Sequence, residues 1–223
     1  MTRTHWAAIT AVVLALLFAG AATVASAGGD TPAPRTPATD SPDAGFARDM
    51  SVHHQQAVEM SFIVRDRTKD EGVRRLAYDI ANTQANQRGM MLGWLDLWGL
   101  PKVVAGRAPM EWMHADTDAA SGHGPGHGGH SSGAAGDDRL MPGMATKDEL
   151  ERLGRLSGKQ AEVFYLQLMI NHHNGGVAMA QGCADLCTVG VERDLAQGMV
   201  DAQRSEVELM VDLLKKRDAE PLA

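Results

Sequence analysis

Apolar positions from Phe46 to Val64 and from Val73 to Trp98 recur at helical spacing, and runs of β-branched residues are absent. Both stretches are therefore predicted to be amphipathic helices. Thr68, followed three residues on by Glu71, reads as a capping box that starts the second helix and makes 67–69 a tight turn. Gly99 and Pro101 stop that helix. The pattern resumes later in the chain. Thr146 with Glu149 and Ser157 with Gln160 read as two more capping boxes, so a short helix is predicted before a long one carrying Phe164 to Gln181. Asp185 to Gly190 make the next turn, and a last helix runs from about Val191 to Arg217.

These helices are two copies of one unit. Met50, His53, His54 and Met60 recur 119 positions later as Met169, His172, His173 and Met179. The same ungapped offset superimposes Val58 on Val177, Asp66 on Asp185, Arg74 on Arg193, Leu76 on Leu195, Gln84 on Gln203 and Met91 on Met210. Residues 101–145 hold four prolines, many glycines and no periodicity, and read as a linker. Short loops within each copy and one long connection between them predict an all-α fold. The expected form is a four-helix bundle of the crossover type, its helix pairs 44–100 and 146–218 related by a pseudo-two-fold axis, with up-down-up-down connectivity as the alternative. Ala57, Gly175 and Gly176 stand where the two motif helices could approach closely, which would offset the roughly 1 kcal/mol that each mid-helix glycine costs.

Ahead of the bundle, residues 1–27 read as an export signal: Arg3, an apolar run from Trp6 to Phe18, and Ala25-Ser26-Ala27 as a small-residue cleavage site, with Gly28 as the mature start. The competing reading is an uncleaved membrane anchor, since Trp6 to Ala27 is long enough to span a bilayer. Residues 28–43, rich in Pro, Thr, Ala and Asp, read as a disordered tether. The formal net charge of −7 argues against nucleic acid as a partner, and cleavage removes only one basic residue, Arg3, from that balance.

The duplicated motif carries the candidate chemistry. At about 100° per residue, His53, His54, Ala57 and Met60 fall within roughly 80° of Met50, on one narrow stripe. Imidazole is a borderline ligand and thioether a soft one, a combination that suits copper better than magnesium or calcium. The candidate ligands are thus His53, His54, His172 and His173, supported by Met50, Met60, Met169 and Met179. Adjacent histidines point about 100° apart, so one of each pair is expected to reach the centre. An ordinary imidazole pKa predicts that such binding fades below about pH 6. The bland alternative is a polar core network in which the histidines bond one another, Gln84, Gln203 or helix backbone, while the methionines are core filler.

The linker adds Met110, Met113, His114, His123, His127, His130, Met141 and Met144, which read either as weaker, independent metal sites or as a solvated low-complexity segment. Cys183 and Cys187 are the only cysteines. In an oxidising compartment they are expected to pair as a disulfide, the alternative being a thiolate metal site. Their counterparts in the first copy are Val64 and Thr68, so the pair stands outside the duplicated chemistry. Signals for an enzyme are thin: the chain has no phosphate-binding glycine loop, no serine nucleophile elbow and no Glu-x-x-His pair of the di-iron kind.

At these residues the chain resembles an exported bacterial family, domain of unknown function 305, grouped with the ferritin-like helical bundles. The family pattern Met-Ile-x-His-His-x-x-Ala-x-x-Met-Ala is similar to Met169-Ile170-Asn171-His172-His173 through Met179-Ala180. A downstream Gln-x-x-Glu-x-x-x-Met is similar to Gln203, Glu206 and Met210. The first copy departs from the pattern at Ser51, Ser61 and Gln87. The resemblance implies a ferritin-like bundle and, for some members, copper binding or copper tolerance; it implies no established reaction. The reading that follows is an extracytoplasmic protein that buffers or sequesters copper. The runner-up is a structural or interaction module with a polar histidine core, and a metal-dependent oxidoreductase is a third.

Overall fold

Ser41 opens the first helix by accepting a hydrogen bond from the Ala44 backbone N–H at 3.2 Å, with Pro42 in the first turn, where its missing N–H costs nothing. The computed structural model describes residues 36–114 and 139–222; the expected export signal at 1–27 lies outside them. Helix α1 spans Pro42–Arg67, α2 Glu71–Leu97, α3 Lys147–Arg155, α4 Gly158–Leu186 and α5 Gly190–Lys215, with a single 3₁₀ turn at Glu111–His114. Among the described residues there is no strand, and no helix is long and apolar enough to cross a membrane. All five helices lie in one unit that begins at Pro37.

Three local expectations need correction. The tether ends earlier than composition suggested, because Pro42 and Asp43 are already helical and Asp43 is buried. Helix α2 is capped by Asp70, whose carboxylate accepts from Val73 N–H at 2.8 Å. Thr68 instead closes the turn ahead of the helix: its hydroxyl accepts from Asp70 N–H at 2.9 Å and donates to Glu162 of α4. Ser157 precedes α4 without a side-chain cap bond. The Thr146–Glu149 capping box forms as expected.

The motif helices α1 and α4 pack on each other, and α2 and α5 pack on their own copy's motif helix. The pseudo-two-fold extends to a reciprocal grip. Asp43 of α1 accepts from the backbone of Thr188 and Val189 in the second copy's turn, at 2.8 and 2.7 Å. Its counterpart Glu162 of α4 accepts from Thr68 in the first copy's turn and from Arg217 at 2.8 Å. Each copy thus holds the other copy's turn by a buried carboxylate.

Both ends of the linker are docked onto the bundle. Trp112 lies over Gly45, where any Cβ would meet it at 2.5 Å, and stands edge-on to Phe46 at 5.8 Å. Its indole N–H donates to Asp49 at 2.9 Å. On the far side, the Gln56 amide clasps the Ala145 backbone with bonds of 2.9 and 2.6 Å. Gly143 lies so close to α4 that a Cβ there would sit 2.2 Å from the Asn171 carbonyl. Gly175, which corresponds to Gln56 in the other copy, is bare for the same reason, because a Cβ would stand 2.0 Å from the Pro142 carbonyl. The strap explains Gly175; helix approach explains only Gly176, whose missing Cβ makes room for His53 and Gln203.

Candidate metal centre

Where α1 crosses α4, the four motif histidines are all fully buried. His53 and His172 stack across the pseudo-two-fold with ring centroids 3.8 Å apart. His54 and His173 lie beside them, at 6.5 Å from His53 and 6.4 Å from His172, so the cluster of imidazoles spans both copies. One histidine of each pair reaches the centre and the other faces its own second helix, as the spacing predicted.

The outer partners are Gln87 and Glu206, not the expected Gln84 and Gln203. His54 Nε2 lies 2.8 Å from the Gln87 amide oxygen, and His173 Nε2 lies 2.7 Å from the Glu206 carboxylate. His172 Nε2 lies 3.0 Å from the His53 carbonyl. An oxygen of this kind accepts, so in each case Nε2 carries the proton and donates. The lone pair is then left on Nδ1, and Nδ1 of His54, His172 and His173 has no protein partner. Neither ring nitrogen of His53 has one, nor do the Gln84 and Gln203 amide oxygens. The pairing was legible as a repeated separation of 33 residues between second histidine and partner.

Burial keeps His53, His54 and His172 neutral. It pushes His53 down to about 3, helped by the neighbouring His54; the Pro142 carbonyl opposes the shift without completing a hydrogen bond. Burial likewise pushes His54 down to about 4, against the Gln87 bond, and holds His172 well below the usual histidine range. An ordinary imidazole takes up a proton near pH 6.5; these three rings stay neutral well into mild acid.

The thioethers lie in the two apolar cores. Met60 and Met169 share one core with Met210, while Met50 and Met179 share the other with Met91. The pseudo-two-fold exchanges these sets, and each draws on both copies. Of the linker residues, Met141 and Met144 are buried in the second core, and Met110 and Met113 pack against it. His114 is exposed at the end of the 3₁₀ turn, and His123, His127 and His130 lie outside the described residues.

The imidazoles are not gathered about a single point. Among the described residues, the one group of at least three His, Cys, Asp or Glu ligand atoms within 4.8 Å of one another is Cys183, Cys187 and Glu192. The cysteines are joined as a disulfide, α-carbons 4.8 Å apart, with Cys187 in extended conformation as the cap that ends α4. Sequence reasoning passed over Glu192. Its only signal was a carboxylate in the register of Val73.

Residues 43–214 match the family described as a domain of unknown function, DUF305. The chain belongs to the DUF305 family. Among solved structures, a DUF305 protein of Streptomyces coelicolor described as secreted is 61% identical, matched over 83% of this chain and 99% of that one with a TM-score of 0.71. A DUF305 fragment from Deinococcus radiodurans is 27% identical over 82% and 99%, with a TM-score of 0.60. CopM in its Cu(I)-bound form is 18% identical over 78% and 96%, with a TM-score of 0.56, a likeness of fold. No curated protein matches the chain.

Proposed function

We propose that this DUF305 protein binds copper outside the cytoplasm and buffers or sequesters it. The observation that carries the reading is the set of buried imidazole nitrogens without partners: Nδ1 of His54, His172 and His173, and both ring nitrogens of His53. A buried polar atom left unpaired costs about 1–3 kcal/mol, and a metal ion that accepts the lone pair removes that cost. The Nε2 bonds to Gln87, Glu206 and the His53 carbonyl set the tautomer and raise the basicity of the free nitrogen, the usual support of a ligating histidine. Thioethers of Met50, Met60, Met169 and Met179 complete a set of borderline and soft donors. CopM, which shares the fold, is known in Cu(I)- and Cu(II)-bound forms, in keeping with this reading. The likeness to a secreted relative supports the extracytoplasmic placement. Linker histidines and His114 would serve as weaker sites.

The same bonds to Gln87 and Glu206 also favour a second reading, a polar network that only specifies the core. The two separate cleanly. Copper affinity by chelator competition, set beside metal-free melting, is compared for the wild type, a deletion of 115–138 and the His172→Ala/His173→Ala variant. The copper reading expects near wild-type affinity in the deletion and a collapse in the double variant. Unchanged affinity in the double variant, with loss of metal-free stability alone, establishes the network instead.

A further inference from the structure

The two copies provide an internal control for the cysteine pair. Where the first copy has Val64, Thr68 and Val73, all buried, the second has Cys183, Cys187 and Glu192, also buried. An apolar or small side chain therefore suffices for packing at each position. Glu192 is 0% exposed, and neither carboxyl oxygen has a protein partner. Burying it costs several kcal/mol more than the valine of the first copy unless something binds it.

We propose that Cys183, Cys187 and Glu192 form a second, redox-gated site for a zinc-class divalent cation. The three ligand atoms already lie within 4.8 Å of one another, and two thiolates with one carboxylate form a donor set that zinc accepts. The mixed sulfur and oxygen set fits zinc better than the softer Cu(I). In the disulfide form both sulfurs are spent on each other and the site is shut. An external dithiol opens it: two electrons and two protons pass from the dithiol to the pair, giving two cysteine thiols and the reductant's own disulfide. The incoming ion then displaces two thiol protons and the carboxylic proton, three in all, which leave to solvent. Burial and the neighbouring Asp43 raise Glu192 to about 9, in keeping with its entering protonated. The turn between Cys187 and Glu192 exposes Thr188 and Gly190, so the buried ligands adjoin the surface in sequence. Arg193 donates to the Cys187 carbonyl at 3.4 Å and steadies that turn.

The site is independent of the copper reading, and its test uses the whole exported chain, reduced anaerobically with a phosphine that is then removed, and titrated with Cd²⁺. The expected result is one equivalent bound with a thiolate-to-cadmium charge-transfer band, absent before reduction and kept in His172→Ala/His173→Ala. In Glu192→Val, the residue the first copy tolerates, affinity falls by at least the roughly tenfold that even an outer partner is worth. One proton fewer is released on binding. Glu192→Gln gives the same two losses with less change of shape and stands in should the valine variant fail to fold. Absence of the band in the reduced chain overturns the proposal. So does wild-type affinity with wild-type proton release in the folded Glu192 variants.

Discussion

Gln87 and Glu206 stand at the same register of the two copies, yet His54 meets an amide oxygen at 2.8 Å where His173 meets a carboxylate at 2.7 Å. Here the pseudo-two-fold is kept in register and broken in charge. The carboxylate gives His173 the stronger, charge-assisted support of the two.

Converting the second copy to the first, by Glu206→Gln, is therefore expected to weaken copper binding roughly 10- to 100-fold while leaving the helices folded. Gln87→Glu should strengthen binding at the first copy. Chelator competition on both variants checks this, and wild-type affinity in each would show that the asymmetry has no bearing on the metal.

Metal-free stability should pass through a maximum in pH. Folding pushes His53 to about 3, His54 to about 4 and His172 well below its ordinary value, so between there and about 6.5 the unfolded chain binds more protons. Stability from these rings is complete above about 6.5 and drains as pH falls, by about 1.4 kcal/mol per unit for each histidine. Glu192, raised to about 9, acts in the opposite sense: its contribution is complete below about 4.5 and is lost as pH rises toward 9. Three histidines outweigh one glutamate on the acid side, which places the maximum near pH 6.5. Urea midpoints from pH 4.5 to 9 measure it, and Glu192→Gln should flatten the alkaline limb alone.

Gly175→Ala would drive a methyl into the Pro142 carbonyl, 2.0 Å away, and lift the strap from α4. A loss of about 1–3 kcal/mol is expected. Gly198→Ala, in α5 with nothing within 4 Å, should instead stabilise by up to about 1 kcal/mol. Thermal melting of the pair decides whether contact, rather than helix propensity, keeps Gly175.

Arg217 holds Glu162 at 2.8 Å and Asp70 at 3.0 Å, joining the first copy's turn, α4 and the C-terminal end. Arg217→Met strands a buried carboxylate and is expected to destabilise by about 3–5 kcal/mol. Adding Glu162→Gln should recover part of that loss in the urea midpoint, since the uncompensated charge is then gone.

Much of this was legible in the chain because it is local. Helical period, the 119-residue repeat and the stripe of Met50, His53, His54 and Met60 depend only on neighbours within a few turns, so the helix pairs and the all-α fold could be read directly. Gln84 and Gln87 lie about one helical turn apart on the same face, and only the axial register of α2 against α1 decides which of them reaches His54. Thr68 looked like the cap, but the helix starts two residues later at Asp70, and the Thr68 hydroxyl donates to Glu162, 94 residues away, while accepting from Asp70 N–H. The linker's composition concealed that Met141 and Met144 are core residues, because methionine packs equally well against apolar surface wherever a docked segment places it.

The sequence by itself determined two like helix pairs and which side chains share a face, since both follow from period and repeat. Only the tertiary structure decided that the four imidazoles meet where α1 crosses α4 with unpartnered nitrogens, and that Glu192 is buried beside a disulfide. The first relation joins residues 119 positions apart, and the second rests on burial, a property of the packed whole that no local pattern encodes.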